Sequence, residues 1–329
     1  MIITRAPLRI PLGGGGTDLP SYYKDHGGFI FSLAINKYVF INLNRPSVQD
    51  VIRVKYSKTE EVRQASEIQH PLVREALLLL GIEDRLEIAA MADVPAGTGL
   101  GSSGSFLVAL LRALHAYQRD HISARQIAEE ACEIEIERAG SPVGKQDQYV
   151  AALGGFLSLE IAPDGRVTVC RVPLAEHVIE DLRTNMLLFY TGLRRDSSDI
   201  LNQQKRDTES GNPAVLESLH CAKQLGYQVR QALLAADLHR FGELLDEHWE
   251  NKKRRAAAIC NGFLDRCYQV AKRKGAIGGK LMGAGGGGFF LFLCHHDARQ
   301  RVRQAMQEMG LSEMLFEFDR EGAKVVFDA

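Results

Sequence analysis

Apolar and polar positions along the first half of the chain predict a mixture of strands and helices. Short apolar runs between turn-forming residues, or strict alternation, predict strands. These strands are expected at 2–10, 29–34, 38–43, 51–57 and 86–94, with a hairpin around Pro163-Asp164-Gly165. Apolar residues at helical spacing predict helices at 71–81, 104–118 and 124–138. The last of these has Ser123 as its expected N-cap.

The same mixture restarts in the second half of the chain. Strands are expected at 185–192, 276–283 and 288–294, and helices at 197–208, 213–236, 238–257, 262–274 and 297–309. Strands and helices do not alternate regularly as they do in a doubly wound parallel sheet. We therefore expect an α+β protein of two domains, residues 1–176 and 177–329.

Glycine is the residue whose distribution is unusual. The chain has 31 glycines, and they cluster as LGGGG at 12–16, GTGLGSSG at 97–104 and GAGGGG at 283–288. Glycine weakens regular structure because it loses the most conformational freedom on folding. Three such clusters therefore indicate places where the backbone closely approaches a ligand or another chain segment, although each alone is also compatible with a tight turn.

Composition excludes several classes of function. The 329 residues carry 40 basic and 41 acidic side chains, so the formal net charge is −1, and a nucleic-acid partner is not expected. None of the six cysteines forms a C-x-x-C pair, which argues against zinc ribbons and redox motifs. The sequence shows neither a signal peptide nor an apolar segment of membrane-spanning length. We expect a cytoplasmic protein without membrane association.

The second glycine cluster can be compared with three phosphate-binding patterns. The Walker A pattern fails because no lysine follows Gly101 or Gly104. Gly99, Gly101 and Gly104 match G-x-G-x-x-G, but the next acidic residue, Asp120, follows a helix rather than a strand. The pattern that remains is a glycine-serine loop that opens a helix, where unpaired N–H groups and the helix dipole attract phosphate. A helix capped by serine is the alternative without a ligand.

Three motifs in the same order resemble those of the GHMP kinases. They are RAPLRIPLGGGGTD at 5–18, PAGTGLGSSGS at 95–105 and KLMGAGGGGFFLFL at 280–293. The resemblance implies an N-terminal domain like ribosomal protein S5, a ferredoxin-like C-terminal domain and an active site in the cleft between them. Within the family, GGGGTDLPSYY and GKQDQYVAALGGF are similar to the sugar-1-kinases that act on D-glycero-D-manno-heptose 7-phosphate. The fucokinases share much of this pattern.

The resemblance also implies catalytic and metal-binding residues. Asp147 matches the acid that orients or deprotonates the sugar's anomeric hydroxyl, and Arg9 matches the basic residue that pairs with this acid or stabilises the transferred phosphoryl group. ATP and Mg²⁺ are the implied cofactors. Ser103 and Glu137 are the implied magnesium ligands. Asp147 is also compatible with a role at a helix N-terminus, and Arg9 with a surface position at a strand end.

Binding residues follow from the same motifs. The segment expected to hold ATP comprises Pro95, Gly97, Gly99, Leu100, Gly101, Ser102, Ser103 and Gly104. The residues expected to bind the sugar phosphate are Gly15, Gly16, Thr17, Asp18, Arg194, Arg195, Gly285 and Gly286. The basic run 252–255 is a second candidate for the distal phosphate, although a solvated helix explains it better. The sequence leaves open a homodimer, and a sensor that binds nucleotide or sugar without catalysis is the alternative from another class.

Overall fold

A computed structural model describes residues 1–83, 85–193, 197–255 and 259–329. Within these residues, strands and helices form two sheets with helices packed against them. The first sheet contains strands β1 (Ile2–Gly13), β2 (Gly28–Asn44), β3 (Ile52–Lys55), β4 (Thr59–Val62), β5 (Leu86–Ala92), β6 (Phe156–Ile161), β7 (Val167–Arg171) and β12 (Lys324–Asp328). The α+β class predicted from the sequence is confirmed.

The order in the first sheet is β12-β1-β2-β5-β3-β4, and β6 and β7 extend it from β2. The pairings are antiparallel except for that between β3 and β5. Helices of this part are α1 (Pro20–His26), α2 (Pro71–Leu79), α3 (Ser102–Gln118), α4 (Ala124–Cys132) and α5 (Gln146–Leu153). Helix α3 packs against β1, β2 and α5, so the second glycine cluster, which precedes α3, lies beside the start of α5.

The second sheet has the order β11-β8-β10-β9. Its strands are β8 (Met186–Tyr190), β9 (Ala276–Leu281), β10 (Phe289–Cys294) and β11 (Ser312–Glu313). The helices of this part are α6 (Glu176–Asn185), α7 (Ser197–Glu209), α8 (Pro213–Leu234), α9 (Leu238–Lys253), α10 (Gly262–Arg273) and α11 (Arg299–Glu308). Helix α8 contacts β1 and β2 as well as α9, so it connects the two halves.

One hydrophobic cluster is shared by the two sheets. It contains Leu8 and Phe31 from the first sheet together with Leu188 and Leu291 from the second. Burial of apolar surface in this cluster favours a fixed arrangement of the halves. The predicted boundary at 176/177 stays a prediction. Strand β12, which follows that boundary in the sequence, pairs with β1 in the first sheet.

Several local predictions differ from the structure in an instructive way. The two strands predicted at 29–34 and 38–43 are one long strand, β2, whose pairing with β1 shifts register at Pro7/Leu8. A strand of this length changes partner along its course, from β6 near its start to β5 near its end. The N-cap at Ser123 is confirmed, because its side chain accepts a hydrogen bond from the N–H of Gln126.

Candidate active site

Arg9 and Asp147 form a half-buried ion pair at the centre of the cleft. Nε of Arg9 donates to Oδ1 of Asp147 over 2.7 Å, and Nη1 donates to the carbonyl of Gly99 over 2.6 Å. The side chains are only 6% and 18% exposed. Arg9 lies on β1, and Asp147 lies in the first turn of α5, where an acidic side chain is favoured by the helix dipole. One guanidinium therefore fixes the carboxylate and the glycine loop relative to each other.

The glycine loop leads directly into α3. Gly101 is the N-cap residue, with left-handed backbone (φ 78°) and no side chain to satisfy the helix N–H groups. An added Cβ at Gly101 would lie 3.1 Å from Oδ2 of Asp147. Any side chain at this position would therefore fill the space between the unpaired N–H groups and the carboxylate. This arrangement suits an anion bound at the start of α3.

Ser103 and a neighbouring acid lie beside this loop. The carboxylate of Glu135 lies beside the hydroxyl of Ser103 and accepts a bond of 2.7 Å from Nε2 of Gln148. Glu135 is 2% exposed. Burial raises its pKa to about 7, the charge of Asp147 adds to this rise, and the polar groups of Ser103 and Gln148 beside it oppose the rise.

The acid beside Ser103 is Glu135 and not Glu137, the expected metal ligand. Glu137 is exposed, whereas Glu135 is buried against Ser103. Glu135 follows the buried residue Ala128 by about two helical turns and shares its face, while Glu137 lies on the opposite face. The helical period was thus a signal that could have selected Glu135. The chain is π-helical over Glu133–Arg138, a feature that is frequent at functional sites.

Asp18 is a second buried carboxylate in the cleft. Its Oδ2 accepts a bond of 3.1 Å from the N–H of Gln146, the first residue of α5, and its Oδ1 accepts one of 3.3 Å from the N–H of Gly16. Burial, followed by the charge of Asp147, raises its pKa. A Cβ at Gly144 would lie 2.0 Å from Asp18 Oδ2, so only glycine permits this contact.

Thr17, which was expected to bind the sugar, is a structural residue. It is completely buried. Its hydroxyl lies 2.9 Å from the carbonyls of Gly14 and Phe29, and it accepts a bond from the N–H of Phe29. These contacts tie the loop after β1 to the start of β2. The corrected role follows from burial, which the sequence pattern did not reveal.

The third glycine cluster packs against the second. A Cβ at Gly283 would lie 2.5 Å from the Cα of Gly99, so here two backbones touch and glycine is required on both sides. Gly285 and Gly286 contact Ile259 instead, and the N–H of Gly286 donates to its carbonyl. Neither glycine lines the two cavities described below, so their expected role in substrate binding stays a prediction.

Two cavities meet at the Arg9–Asp147 pair. The larger, of about 530 Å³, contains the loop residues Gly97, Gly99, Gly101, Ser102 and Ser103 and an apolar end formed by Tyr56, His70, Leu72, Met91 and Phe106. The smaller, of about 100 Å³, contains Gly15, Gly16, Asp18, Gln146, Gln204, His248, Lys252 and Arg255. Both are lined by Arg9, Val143, Asp147, Leu201, Gly283 and Ala284.

Comparison with known protein families identifies the family of this chain. A family model described as the N-terminal domain of GHMP kinases matches residues 68–155, and one described as their C-terminal domain matches residues 229–311. Together the two matches cover more than half of the chain. The chain belongs to the GHMP kinase family. It is therefore a phosphotransferase with the two-domain GHMP kinase fold.

Individual GHMP kinases resemble this chain over its whole length. D-glycero-alpha-D-manno-heptose 7-phosphate kinase of Campylobacter jejuni is 28% identical, over 98% of both chains. The crystal structure of a D-glycero-D-manno-heptose 1-phosphate kinase from Bacteriodes thetaiotaomicron superposes with a TM-score of 0.82 at 26% identity, over 100% of both chains. The bifunctional fucokinase/GDP-fucose pyrophosphorylase of Arabidopsis thaliana is 25% identical over 92% of this chain and 31% of its own length.

Not every residue expected to bind ATP in this GHMP kinase lines the larger cavity. Leu100 is buried in the shared hydrophobic cluster and offers only its carbonyl, which accepts from the N–H of Arg9. Gly104 packs against Asp147, and Pro95 is exposed outside the cavity lining. Arg194 and Arg195 lie outside the described residues.

Sequence reasoning missed several polar groups of the cleft. Gln146 presents a buried Oε1 that has no hydrogen-bond partner among the described residues. His248 lines the smaller cavity and Lys280 lies near it; neither is distinguished by the sequence pattern, and each is 2% exposed. A buried histidine or lysine has no distinctive local pattern, so only the packing of α9 and β9 reveals them.

No helix within the described ranges is long and apolar enough to cross a membrane.

Proposed function

We propose that this GHMP kinase transfers the γ-phosphoryl group of ATP to the anomeric hydroxyl of D-glycero-D-manno-heptose 7-phosphate. The product would be the 1,7-bisphosphate, used to make nucleotide-activated heptose. The observation that carries this proposal is the position of the Arg9–Asp147 pair where the two cavities meet. A phosphoryl donor in the larger cavity and an acceptor in the smaller one would have their reacting atoms beside this pair.

The larger cavity suits a nucleotide. Its glycine loop and the start of α3 offer N–H groups to a triphosphate. At its apolar end, the rings of His70 and Phe106 lie 5.1 Å apart, and those of Tyr56 and His70 lie 4.8 Å apart. Flat aromatic surfaces of this kind can pack against a base. We assign this end to adenine.

Ser103 and Glu135 fit a magnesium ion. The described residues contain no group of three or more His, Cys, Asp or Glu side chains arranged for a metal, but Mg²⁺ is usually held by one or two carboxylates together with substrate phosphates and water. A buried carboxylate with its pKa raised to about 7 also gains from a nearby cation. When bound, the ion would neutralise charge on the phosphates. Ser103 and Glu135 would hold it, with Glu135 in place of Glu137.

On the acceptor side, Asp147 would orient the attacking hydroxyl and receive its proton. Its carboxylate is held by Arg9 and has its second oxygen directed toward Gly101. Asp18 and the unpaired Oε1 of Gln146 offer acceptors for sugar hydroxyls. Arg9 would also stabilise negative charge on the transferred group. Phosphoryl transfer requires mainly positioning and electrostatic stabilisation, and these groups supply both.

The test combines a substrate panel with one variant. Purified protein is incubated with ATP, Mg²⁺ and a series of sugars and sugar phosphates, and ADP release is measured. Heptose 7-phosphate should be the best acceptor, and Asp147→Asn should lower kcat by about 10² to 10⁴. Asp181→Asn, an exposed change on α6, is the control. Preference for fucose, ADP release unaffected by Asp147→Asn, or ATP binding without ADP release would each contradict the proposal.

The position phosphorylated needs its own measurement, because one relative is named for a 7-phosphate substrate and one structure for a 1-phosphate. Phosphorus NMR of the product distinguishes an anomeric phosphate from one on the terminal carbon. With heptose 7-phosphate as acceptor, a new anomeric phosphate signal coupled to the anomeric proton is expected. A product phosphorylated elsewhere would disprove the assignment of the anomeric hydroxyl.

A further inference from the structure

We propose that Arg255, together with His248 and Lys252 of α9 and Lys280 of β9, forms a subsite for the acceptor's distal phosphate monoester. This proposal rests on the proposed function, which supplies an acceptor that already carries a phosphate. It goes further because it names the residues that would distinguish a phosphorylated sugar from a free one. We call these four residues the buried basic cluster.

The buried basic cluster lacks a counter-charge. His248, Lys252 and Lys280 are 2%, 6% and 2% exposed. Within the described ranges, neither lysine nor Arg255 has a carboxylate within salt-bridge distance. The two lysines donate to backbone carbonyls: Lys252 to those of Leu281 and Gly283, and Lys280 to that of Leu12. A buried charge without an opposite partner is costly, so the cluster is built for an anion from outside.

The cluster also has hydrogen-bonding groups that remain unused. Nη2 of Arg255 and both ring nitrogens of His248 are buried without a hydrogen-bond partner among the described residues. Buried polar groups in folded proteins are almost always paired. Both residues line the smaller cavity, so a phosphate there would supply the missing acceptors. Arginine can hold phosphate through two parallel N–H···O bonds. The unused Nη2 of Arg255 would supply one of them.

Contacts connect the cluster to the reacting end of the same cavity. Nη1 of Arg255 donates to the carbonyl of Gly15 over 3.3 Å. A Cβ at Gly16 would lie 2.9 Å from that Nη1, and the N–H of Gly16 donates to Asp18. Asp18 in turn lies close enough to Asp147 that the charge of Asp147 raises the pKa of Asp18. The first glycine cluster therefore joins Arg255 to the site of transfer while leaving no side chain between them.

The position of the cluster explains why the bound anion would be the acceptor's phosphate rather than the triphosphate of ATP. Arg255, His248 and Lys252 line the smaller cavity and not the larger one. Burial, followed by the charge of Arg255, lowers the pKa of Lys280 to about 7, and burial lowers the pKa of Arg255 to about 10. A phosphate dianion beside them would favour their charged forms. Binding and protonation would thus support each other.

The kinetic test compares acceptors with and without the distal phosphate. Arg255→Met should lower kcat/KM for heptose 7-phosphate by about 100-fold more than kcat/KM for free heptose. Arg255→Lys should recover part of the loss, because it keeps the charge without the two parallel bonds. Arg254→Met removes the same charge from the adjacent, exposed position and should affect neither acceptor. An equal loss on both acceptors would overturn the proposal, because it would indicate a purely structural role.

A binding test separates this proposal from the proposed function. Inorganic phosphate is titrated by calorimetry into the protein saturated with a non-hydrolysable ATP analogue and Mg²⁺, which leaves the nucleotide site filled. The wild type and Arg254→Met should bind phosphate equally, and Arg255→Met should bind it at least about tenfold more weakly. Equal binding by all three, or no binding by the wild type, would overturn the subsite. If the enzyme rejects every heptose but this pattern holds, the proposed substrate fails while the phosphate subsite stands.

Discussion

We predict that Glu135→Gln changes the free energy of unfolding in a way that depends on pH. The reason is that the buried position of Glu135 makes its ionisation unfavourable in the folded protein. Its carboxyl is 2% exposed, and its pKa rises from 4.5 to about 7 in the folded protein, chiefly through burial. Below pH 4.5 the group is protonated in both the folded and the unfolded chain. Between pH 4.5 and 7 only the unfolded chain releases the proton, so the free energy of unfolding falls as the pH rises.

The size of this effect follows from the pKa shift. Each pKa unit corresponds to about 1.4 kcal/mol, so ionisation of Glu135 in the folded state costs about 3 kcal/mol above pH 7. Glutamine has nearly the same shape, can accept the bond from Gln148 through its amide oxygen, and carries no charge. Without nucleotide and Mg²⁺, Glu135→Gln should be as stable as the wild type at pH 4.5. By pH 8 it should be more stable by up to about 3 kcal/mol.

The assay is urea unfolding of both proteins at several pH values, and the quantity compared is the difference between them. Other titrating groups are common to both and cancel in this difference. Mg²⁺ with ADP should stabilise the wild type more than the variant, and kinase activity of the variant should fall sharply. Glu137→Gln, which alters the exposed acid of the same helical segment, should behave as the wild type throughout. A stability difference that does not change with pH would refute the reasoning.

Three further substitutions test other contacts of the cleft. Gly144→Ala would place its Cβ 2.0 Å from a carboxylate oxygen of Asp18, so acceptor kcat/KM should fall at least about tenfold; Gly262→Ala, where the nearest atom would be 3.5 Å away on a side chain, should not change it. Arg9→Lys cannot reproduce the two bonds of the guanidinium, so kcat should fall about 100-fold, and an unchanged kcat would contradict the role given to this pair. Phe106→Ala should raise KM for ATP about tenfold without altering KM for the acceptor, and an equal rise in both would argue against adenine at this end of the larger cavity.

Much of the architecture followed from local patterns. The helix that begins at Ser102 and the strand that begins at Ile2 were predicted because their periodicity and flanking residues act over a few positions. The capping of α4 by Ser123 depends on residues three positions apart. Each of the three glycine clusters, which signal close backbone approach, contributes residues to the lining of the cleft.

Two expected site residues lie in surroundings that differ from the expectation. The resemblance to the family motif selects Glu137, whereas the buried acid beside Ser103 is Glu135. Thr17 was taken for a sugar ligand because of its place beside Asp18, whereas its hydroxyl is used within the turn. In both cases the outcome depends on which side of the backbone faces the interior, and burial is decided by packing against distant elements.

The sequence by itself determined the family and the α+β class, and it predicted both the glycine-serine loop that opens a helix and the pairing of Arg9 with Asp147. Only the tertiary structure decided that these two residues, 138 positions apart, meet between two cavities. It alone also assembled a basic cluster from α9 and β9 without a carboxylate partner among the described residues. Strands and helices arise from interactions between near neighbours, whereas the charge environment of a cleft is set by residues that only the packing of whole elements brings together.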